Sequence, residues 1–318
     1  MGVLYSQLFV TPRYPTESFA DQIIIVTGSN VGLGLEAARH FCRCNAKKVV
    51  LAVRNVAAGE KAKQSIEEST GRTDVCEVWE LDLASYASVK AFAQRASKLP
   101  RIDVLLENAG ILTLNFSLAE GHERTITVNV ISTFMLGMLL LPKLKATAKE
   151  IPSTKPHWTI VSSEVHAWTN LPEWKSSNTF EALDDPKNAK MQARYPTSKL
   201  LEVLVVREIA SKLADSRVIL NMLNPGLCHS ELAREGSWRV WFLKLVLART
   251  TEVGGRTLVA AATVDDESHG AYMTDGKVNN EALGAFVTSE DGEKAQKKVW
   301  TELKEILEKV QPGIASSF

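Results

Sequence analysis

The chain has 318 residues, 45% of them hydrophobic and 23% charged, and its 37 basic and 37 acidic side chains cancel to a formal net charge of zero. That is enough apolar material for one large domain, and the lack of a basic block argues against a nucleic-acid partner. The four cysteines (Cys42, Cys44, Cys76, Cys228) have no C-x-x-C spacing, so they read as free thiols in a reducing, cytoplasmic compartment and not as metal ligands.

Residues 1–20 read as a mobile lead-in, ending at Pro12 and Pro15, that packs on a single domain spanning 21–318. Met1-Gly2-Val3-Leu4-Tyr5-Ser6 matches the loose pattern for N-acylation, but no polybasic patch follows to supply a second anchor. The run from Phe134 to Leu141 is the longest apolar stretch, shorter than the ~20 residues of a membrane span. Ile23-Ile24-Ile25-Val26 is short and β-branched like a buried strand, and Leu35 to Phe41 has helical spacing. Between them lies Thr27-Gly28-Ser29-Asn30-Val31-Gly32-Leu33-Gly34, a strand-to-helix turn. Its glycines permit a tight bend and close approach, and the helix start offers free N–H groups to an anion such as a pyrophosphate.

Strand and helix signals then alternate. Lys48 to Val53 predicts a strand, Val56 to Thr70 a surface helix stopped by Gly71, Val75 to Leu81 a strand, and Ser85 to Leu99 a helix before Pro100. Ile102 to Leu106 is a fourth strand. Gly121 to Ala148 predicts two helices that meet near Asn129, Trp158 to Val161 a fifth strand, Pro196 to Leu213 a helix, and Val218 to Met222 a sixth strand. Alternating β and α units imply an α/β Rossmann-type doubly wound parallel sheet of about seven strands with helices on both faces. Ligands of such sheets lie beyond the carboxyl ends of the strands. The residues there are Gly28 to Gly34, Arg54, Asp82-Leu83, Asn108-Ala109-Gly110, Ser162-Ser163 and Asn224-Pro225-Gly226.

Seven motifs in order, Thr27-Gly-x-x-x-Gly-x-Gly34, Asp82-Leu83, Asn108-Ala109-Gly110, Asn129, Ser163, Tyr195-x-x-x-Lys199 and Pro225-Gly226, resemble the short-chain dehydrogenase/reductase family over roughly residues 20 to 230. The long spacing from Ser163 to Tyr195 and the tail around Thr251 to Gly254 and Gly270 to Tyr272 resemble its retinol-dehydrogenase-like branch and fungal natural-product reductases. Glu107 departs from the family pattern, where an asparagine is common before Asn-Ala-Gly.

The resemblance implies interconversion of a carbonyl and an alcohol with a nicotinamide cofactor. Tyr195 is then the acid/base, and Lys199, one helical turn on, lowers its pKa from the ordinary ~10. Ser163 holds the substrate oxygen, and Asn129 supports a water beside the lysine; adjacent Ser162 must face the other way. The second strand ends Val53-Arg54-Asn55, with no acid to repel a 2′-phosphate, and the planar Arg54 cation suits one, so NADP(H) is the expected cofactor. Gly28, Ser29, Asn30, Gly32, Leu33 and Gly34 would surround its phosphates. Asp82 and Leu83 would meet the adenine, and Asn108, Ala109, Gly110, Tyr195, Lys199, Pro225, Gly226 and Ser230 the rest of the molecule.

A segment at about 227–250 carries Trp238, Trp241 and Phe242 with Arg239 and Lys244. It fits a lid over a hydrophobic, aromatic or polycyclic substrate, ordinary core packing, or a membrane contact, the last not favoured. Met135 to Leu141 suits either a homodimer contact or the core. Two other functions stand beside the reductase: non-redox chemistry in the same pocket, as in a dehydratase or cyclase, and a redox-silent scaffold. His166 and His229 lie near the site, but the chemistry is complete without them.

Overall fold

Strand β1 (Ile23–Thr27) is buried along its whole length and divides its side chains between two cores, Ile23 and Ile25 in one, Ile24 and Val26 in the other. A strand apolar on both faces needs cover on both faces, which parallel sheets receive from crossover helices. In the computed structural model, which describes residues 3–229 and 248–318, β1 runs parallel to β2 (Lys48–Val53) on one side. Beyond β2 lies β3 (Cys76–Glu80), and on the other side of β1 lie β4 (Val104–Glu107), β5 (His157–Val161), β6 (Ile219–Asn224) and β7 (Tyr272–Thr274), all parallel. A two-residue strand, β8 (Lys277–Val278), closes that edge antiparallel to β7. The order β8-β7-β6-β5-β4-β1-β2-β3 is the doubly wound arrangement, and its eighth strand is the short antiparallel addition to the expected parallel set. Between β1 and β4 the winding reverses, so a crevice opens at their carboxyl ends.

A short helix, α1 (Val3–Phe9), precedes the sheet. Helices α2 (Gly32–Arg43) and α3 (Val56–Thr70) cover one face, filling it with Ala37, Phe41 and Ile66. Helix α4 (Tyr86–Ala96), α5 (Thr133–Glu150) and α6 (Met191–Leu213) cover the other. Then α7 (Thr251–Ala261) returns to the first face and α8 (Glu290–Val310) to the second. Helix α3 has the predicted bounds for local reasons. Asn55 caps its start by accepting from the Ala58 N–H, and Gly71 ends it in the left-handed conformation, φ 67°.

The lead-in packs on the domain: the Gln7 amide bonds both backbone groups of Leu227 (2.7 and 3.1 Å), and Arg249 reaches the carbonyls of Ser6 and Val10 (2.8 and 2.9 Å). Two features differ from the sequence expectations. The helical run 124–150 does contain an 18-residue window long and apolar enough to cross a membrane, with mean hydropathy 1.7, but 89% of that window is buried within the fold. Met135, Leu136, Met138, Leu140 and Leu141 are core residues. Trp158 lies so close over α5 that a Cβ at Gly137 would sit 1.9 Å from its ring. Finally, Pro196 lies inside α6, which begins at Met191. Its missing N–H deprives the Gln192 carbonyl of an intrahelical partner, which is why the sequence suggested a start there.

Candidate active site

The glycine turn is fastened to the end of β4 before any ligand is considered. The Thr27 hydroxyl accepts from the N–H groups of both Asn108 (3.0 Å) and Ala109 (2.9 Å). In return the Asn108 amide donates to the carbonyls of Thr27 (2.9 Å) and Gly28 (3.2 Å). This lattice explains two of the glycines. A Cβ on Gly28 (φ 64°) would lie 2.9 Å from Ala109 Cα, and one on Gly34 would lie 2.5 Å from Asn108 Nδ2 and 2.7 Å from the Gly28 oxygen. Gly32 differs: at φ 65° it has nothing within 4 Å of its absent Cβ, so the turn presents bare backbone to open space at the start of α2. A concave, side-chain-free helix start fits the pyrophosphate of a dinucleotide.

The other cofactor-side residues divide by geometry. The Ser29 hydroxyl does not face that space as expected; it is fully buried and donates to the Val26 carbonyl at 2.9 Å, closing the turn from within. Asn30 is half-buried in the turn, and Leu33 packs on Gly254 of α7. Arg54 stands exposed just past β2. Asp82 accepts from the Ala84 N–H at 2.9 Å through one oxygen, so part of its accepting capacity goes to shaping its own turn, and Leu83 beside it is buried. Gly226 (φ 80°) follows Pro225 in a turn held by Asn224 Oδ1, which accepts from its N–H at 3.0 Å. Ser230, Trp238, Trp241 and Phe242 lie outside the described residues, but both stems of the intervening segment are present: Cys228 bridges Arg249 in a short parallel contact.

At the centre of the crevice β5 and α6 bring the reacting groups together. Ser163, just past β5, lies near enough to the Tyr195 phenol to help draw its pKa down, whereas Ser162 is buried with its hydroxyl turned to the Lys199 carbonyl (3.3 Å). The alternation of side chains along a strand thus separates the two serines as expected. Lys199 Nζ lies 5.6 Å from the Tyr195 ring centroid and donates to the Val161 carbonyl (2.9 Å). Asn129 sits in a π-helical turn, Thr127–Ser132, where the two predicted helices join. Its amide accepts from the Ile111 N–H (2.8 Å) and donates to the Ile111 carbonyl (3.0 Å) and the Ser198 hydroxyl (3.0 Å). Gly110 completes the cluster, since a Cβ there would meet Asn129 Oδ1 at 3.4 Å and Lys199 Nζ at 3.8 Å.

Lys199 acts on Tyr195 in the expected direction, but burial outweighs it. Burial holds the Tyr195 phenol above its ordinary value; Lys199 pulls it down and Glu202 pushes it up again. For Lys199, burial opposes the charged form, but Glu202 and Tyr195 outweigh it and leave the ammonium more firmly protonated than usual. Glu202, which adds to the effect of burial on Tyr195 and holds Lys199 charged, lies 2.8 Å from Lys199 Nζ. A lone carboxylate in the run Leu200-Leu201-Glu202-Val203-Leu204, three residues after the lysine, is the signal that would have found it. Thr27 was within the motif but had no assigned role, and Gln7 left no trace. His166 is a support: its ring accepts from the Gly284 N–H (2.9 Å), which leaves the other nitrogen to donate to the Ser163 carbonyl (2.7 Å). Among the described residues no group of three or more His, Cys, Asp or Glu could hold a metal ion.

A doubly wound sheet with a glycine turn at its switch point and a Ser-Tyr-Lys cluster across the crevice defines a nucleotide-dependent oxidoreductase scaffold. The short chain dehydrogenase profile matches residues 22–151. The short chain dehydrogenase/reductase dmxR8 of Cryptosporiopsis sp. is 47% identical over 327 residues, covering 100% of both chains. The chain belongs to the short-chain dehydrogenase family. Solved structures with the same fold include an NADPH-bound carbonyl reductase from chicken fatty liver (TM-score 0.62, 20% identity, 82% of this chain and 98% of that one). Another is a 3-ketoacyl-(acyl-carrier-protein) reductase from Brucella melitensis complexed with NADH (TM-score 0.60, 20% identity, 81% and 97%).

Proposed function

We propose that this short-chain dehydrogenase is an NADPH-dependent enzyme that interconverts a carbonyl and an alcohol on a hydrophobic, aromatic or polycyclic small molecule of secondary metabolism. The observation that carries the reading is the convergence of Ser163, Tyr195 and Lys199 in the same crevice as the bare backbone at Gly32. The turn from Gly28 to Gly34 would hold the pyrophosphate and Arg54 the 2′-phosphate, while Lys199 and the loop at Pro225-Gly226 would meet the nicotinamide half. Bound there, the cofactor supplies or removes two electrons and a hydrogen at the substrate carbon.

The chain's own groups handle the proton. Tyr195 gives its phenolic proton to the substrate oxygen as negative charge develops there, and takes one back in the reverse direction. Ser163, beside that phenol, holds the same oxygen in place and shares its charge. The Lys199 ammonium stabilises the phenolate left behind. The match to dmxR8 along its full length supports a role in fungal small-molecule chemistry.

The test is consumption of NADPH, followed by its absorbance, with a panel of aromatic ketones. Replacing Tyr195 by Phe removes the proton and should lower turnover by roughly 10²- to 10⁴-fold. Full turnover by Tyr195→Phe would overturn the assignment, and a wild-type protein that binds NADPH but reduces no ketone would favour the non-redox alternative.

A further inference from the structure

Beneath the reacting cluster lies a second set of ionisable groups, none of which the reaction as described uses. Helix α6 is apolar below Lys199: Leu200, Leu201, Val203 and Leu204 are all fully buried. Glu202 interrupts that run at 2% exposure, with Oε1 2.8 Å from Lys199 Nζ. Since Val161 also accepts from that ammonium (2.9 Å), two of its three hydrogens are committed on the side away from the crevice. Other elements add further groups around the carboxylate. Glu107 faces it from β4, accepting from the Trp158 indole at 2.7 Å, and Tyr272 faces it from β7, with Tyr195 above on its own helix and Glu164 beyond Tyr272. Among the described residues, Glu202 Oε2, Glu107 Oε1 and the Tyr272 hydroxyl have no hydrogen-bond partner.

Such an arrangement is a poor stability device. Removing a carboxylate and an ammonium from water costs several kcal/mol per ion, and their attraction at best roughly offsets it. Apolar residues in both places would serve packing as well. Lys199 is needed for its charge, and Glu202 takes part of that charge away from Tyr195.

We propose that Glu202 is the counter-ion of Lys199 and a positioning residue for the reaction: it fixes the lysine as an ammonium yet partly neutralises it, so that Tyr195 keeps its proton and stands ready to protonate a reduced carbonyl. The inference rests on the reading of Tyr195 as the acid/base, and it adds a working direction, carbonyl reduction. The charge states around the pair agree. Burial pushes the Glu107 carboxyl well above the usual carboxylate range, so it stays protonated and does not compete for Lys199. Burial likewise pushes Glu202 up, against the pull of Lys199, to about 7. Above that range the pair is an ammonium and a carboxylate with little net charge. With Glu202 ionised, loss of the Tyr195 proton would place a second negative charge beside the first, which the buried site resists.

The experiment is a titration of phenolate absorbance in the full-length, cofactor-free protein. Subtracting the Tyr195→Phe curve from the wild-type curve isolates Tyr195, and subtracting Glu202→Gln/Tyr195→Phe from Glu202→Gln isolates it without the counter-ion. The midpoint should fall by about one pH unit or more in Glu202→Gln. The high-pH limb of kcat/KM for ketone reduction should fall with it. An unchanged or raised midpoint overturns the proposal. If Glu202→Gln does not fold, Glu202→Asp, which keeps a carboxylate but draws it back from Lys199, carries the test: its Tyr195 midpoint should fall in the same direction by less, and an unchanged or raised midpoint overturns the proposal. Turnover by Tyr195→Phe, in contrast, would refute the acid/base reading whatever the titrations show.

Discussion

The two halves of the crevice are built on opposite plans. On the side of β1, β2 and β3, the surface presented to a ligand is bare backbone at Gly32 and the exposed Arg54, with the hydroxyl of Ser29 and the amide of Asn108 turned inward to brace the turn. On the side of β4, β5 and α6, side chains interlock: Ser163 with Tyr195, Lys199 with Glu202, Glu107 with Trp158, and Asn129 with Ile111 and Ser198. Binding a phosphate needs donors that are already fixed, which backbone provides at no cost in side-chain freedom. Moving a proton needs groups whose affinities are set against one another, which only close packing in a dry interior provides.

If that contrast is right, substitutions on the first side should change ligand affinity while those on the second also change stability, and Gly34 tests the boundary. Alanine at Gly34 forces contacts of 2.5 and 2.7 Å onto Asn108 Nδ2 and the Gly28 oxygen. It should destabilise the fold by about 1–3 kcal/mol and abolish cofactor binding. Alanine at Gly32 meets nothing within 4 Å and costs only its left-handed backbone, about 1 kcal/mol, while still weakening the cofactor. Chemical unfolding beside cofactor titration separates the two, and equal destabilisation would break the comparison.

Glu107→Gln probes the interlocked side through pH. The carboxyl is raised by burial, so the folded protein holds a proton that the unfolded chain releases near ~4.5. Its contribution to stability is fully present below that point and is lost as pH rises toward the folded value. Glutamine keeps an oxygen for Trp158 and does not titrate. Relative to wild type, Glu107→Gln should therefore gain stability as pH rises from about 5 to 8, by up to about 1.4 kcal/mol per pH unit. Parallel stability curves for the two proteins would show Glu107 to be ionised in the fold.

The smallest effect should come from Arg54→Glu. The side chain is exposed. Stability should change by less than about 0.5 kcal/mol. NADPH affinity should fall by about tenfold or more, with NADH relatively favoured. Unchanged NADPH affinity would remove the argument for the 2′-phosphate.

How much of this was legible follows the same division. The turn from Thr27 to Gly34, the bounds of α3 and the succession of strands up to β6 depend on local propensity, spacing and the rule that parallel strands need crossover helices, so the one-dimensional pattern carried them. Ser163, Tyr195 and Lys199 could be named because their motifs are short in sequence. Their energetics could not be named. Tyr195 was expected below its ordinary value and stands above it, because burial and a carboxylate three residues past the lysine outweigh the ammonium. Ser29, read as a ligand donor, closes its own turn. The first ten residues, read as packing on the domain, do so through Leu227 and Arg249, partners that no local pattern names.

By itself, then, the sequence determined the family, the wound sheet and the places where a dinucleotide and a tyrosine–lysine pair belong, since each follows from residues within a turn or two of one another. Only the tertiary structure decided which charges face Lys199 and what anchors the loop after β6. Those outcomes depend on β4, β5, β7 and α6, far apart in the chain, meeting where water is excluded and every neighbouring charge counts.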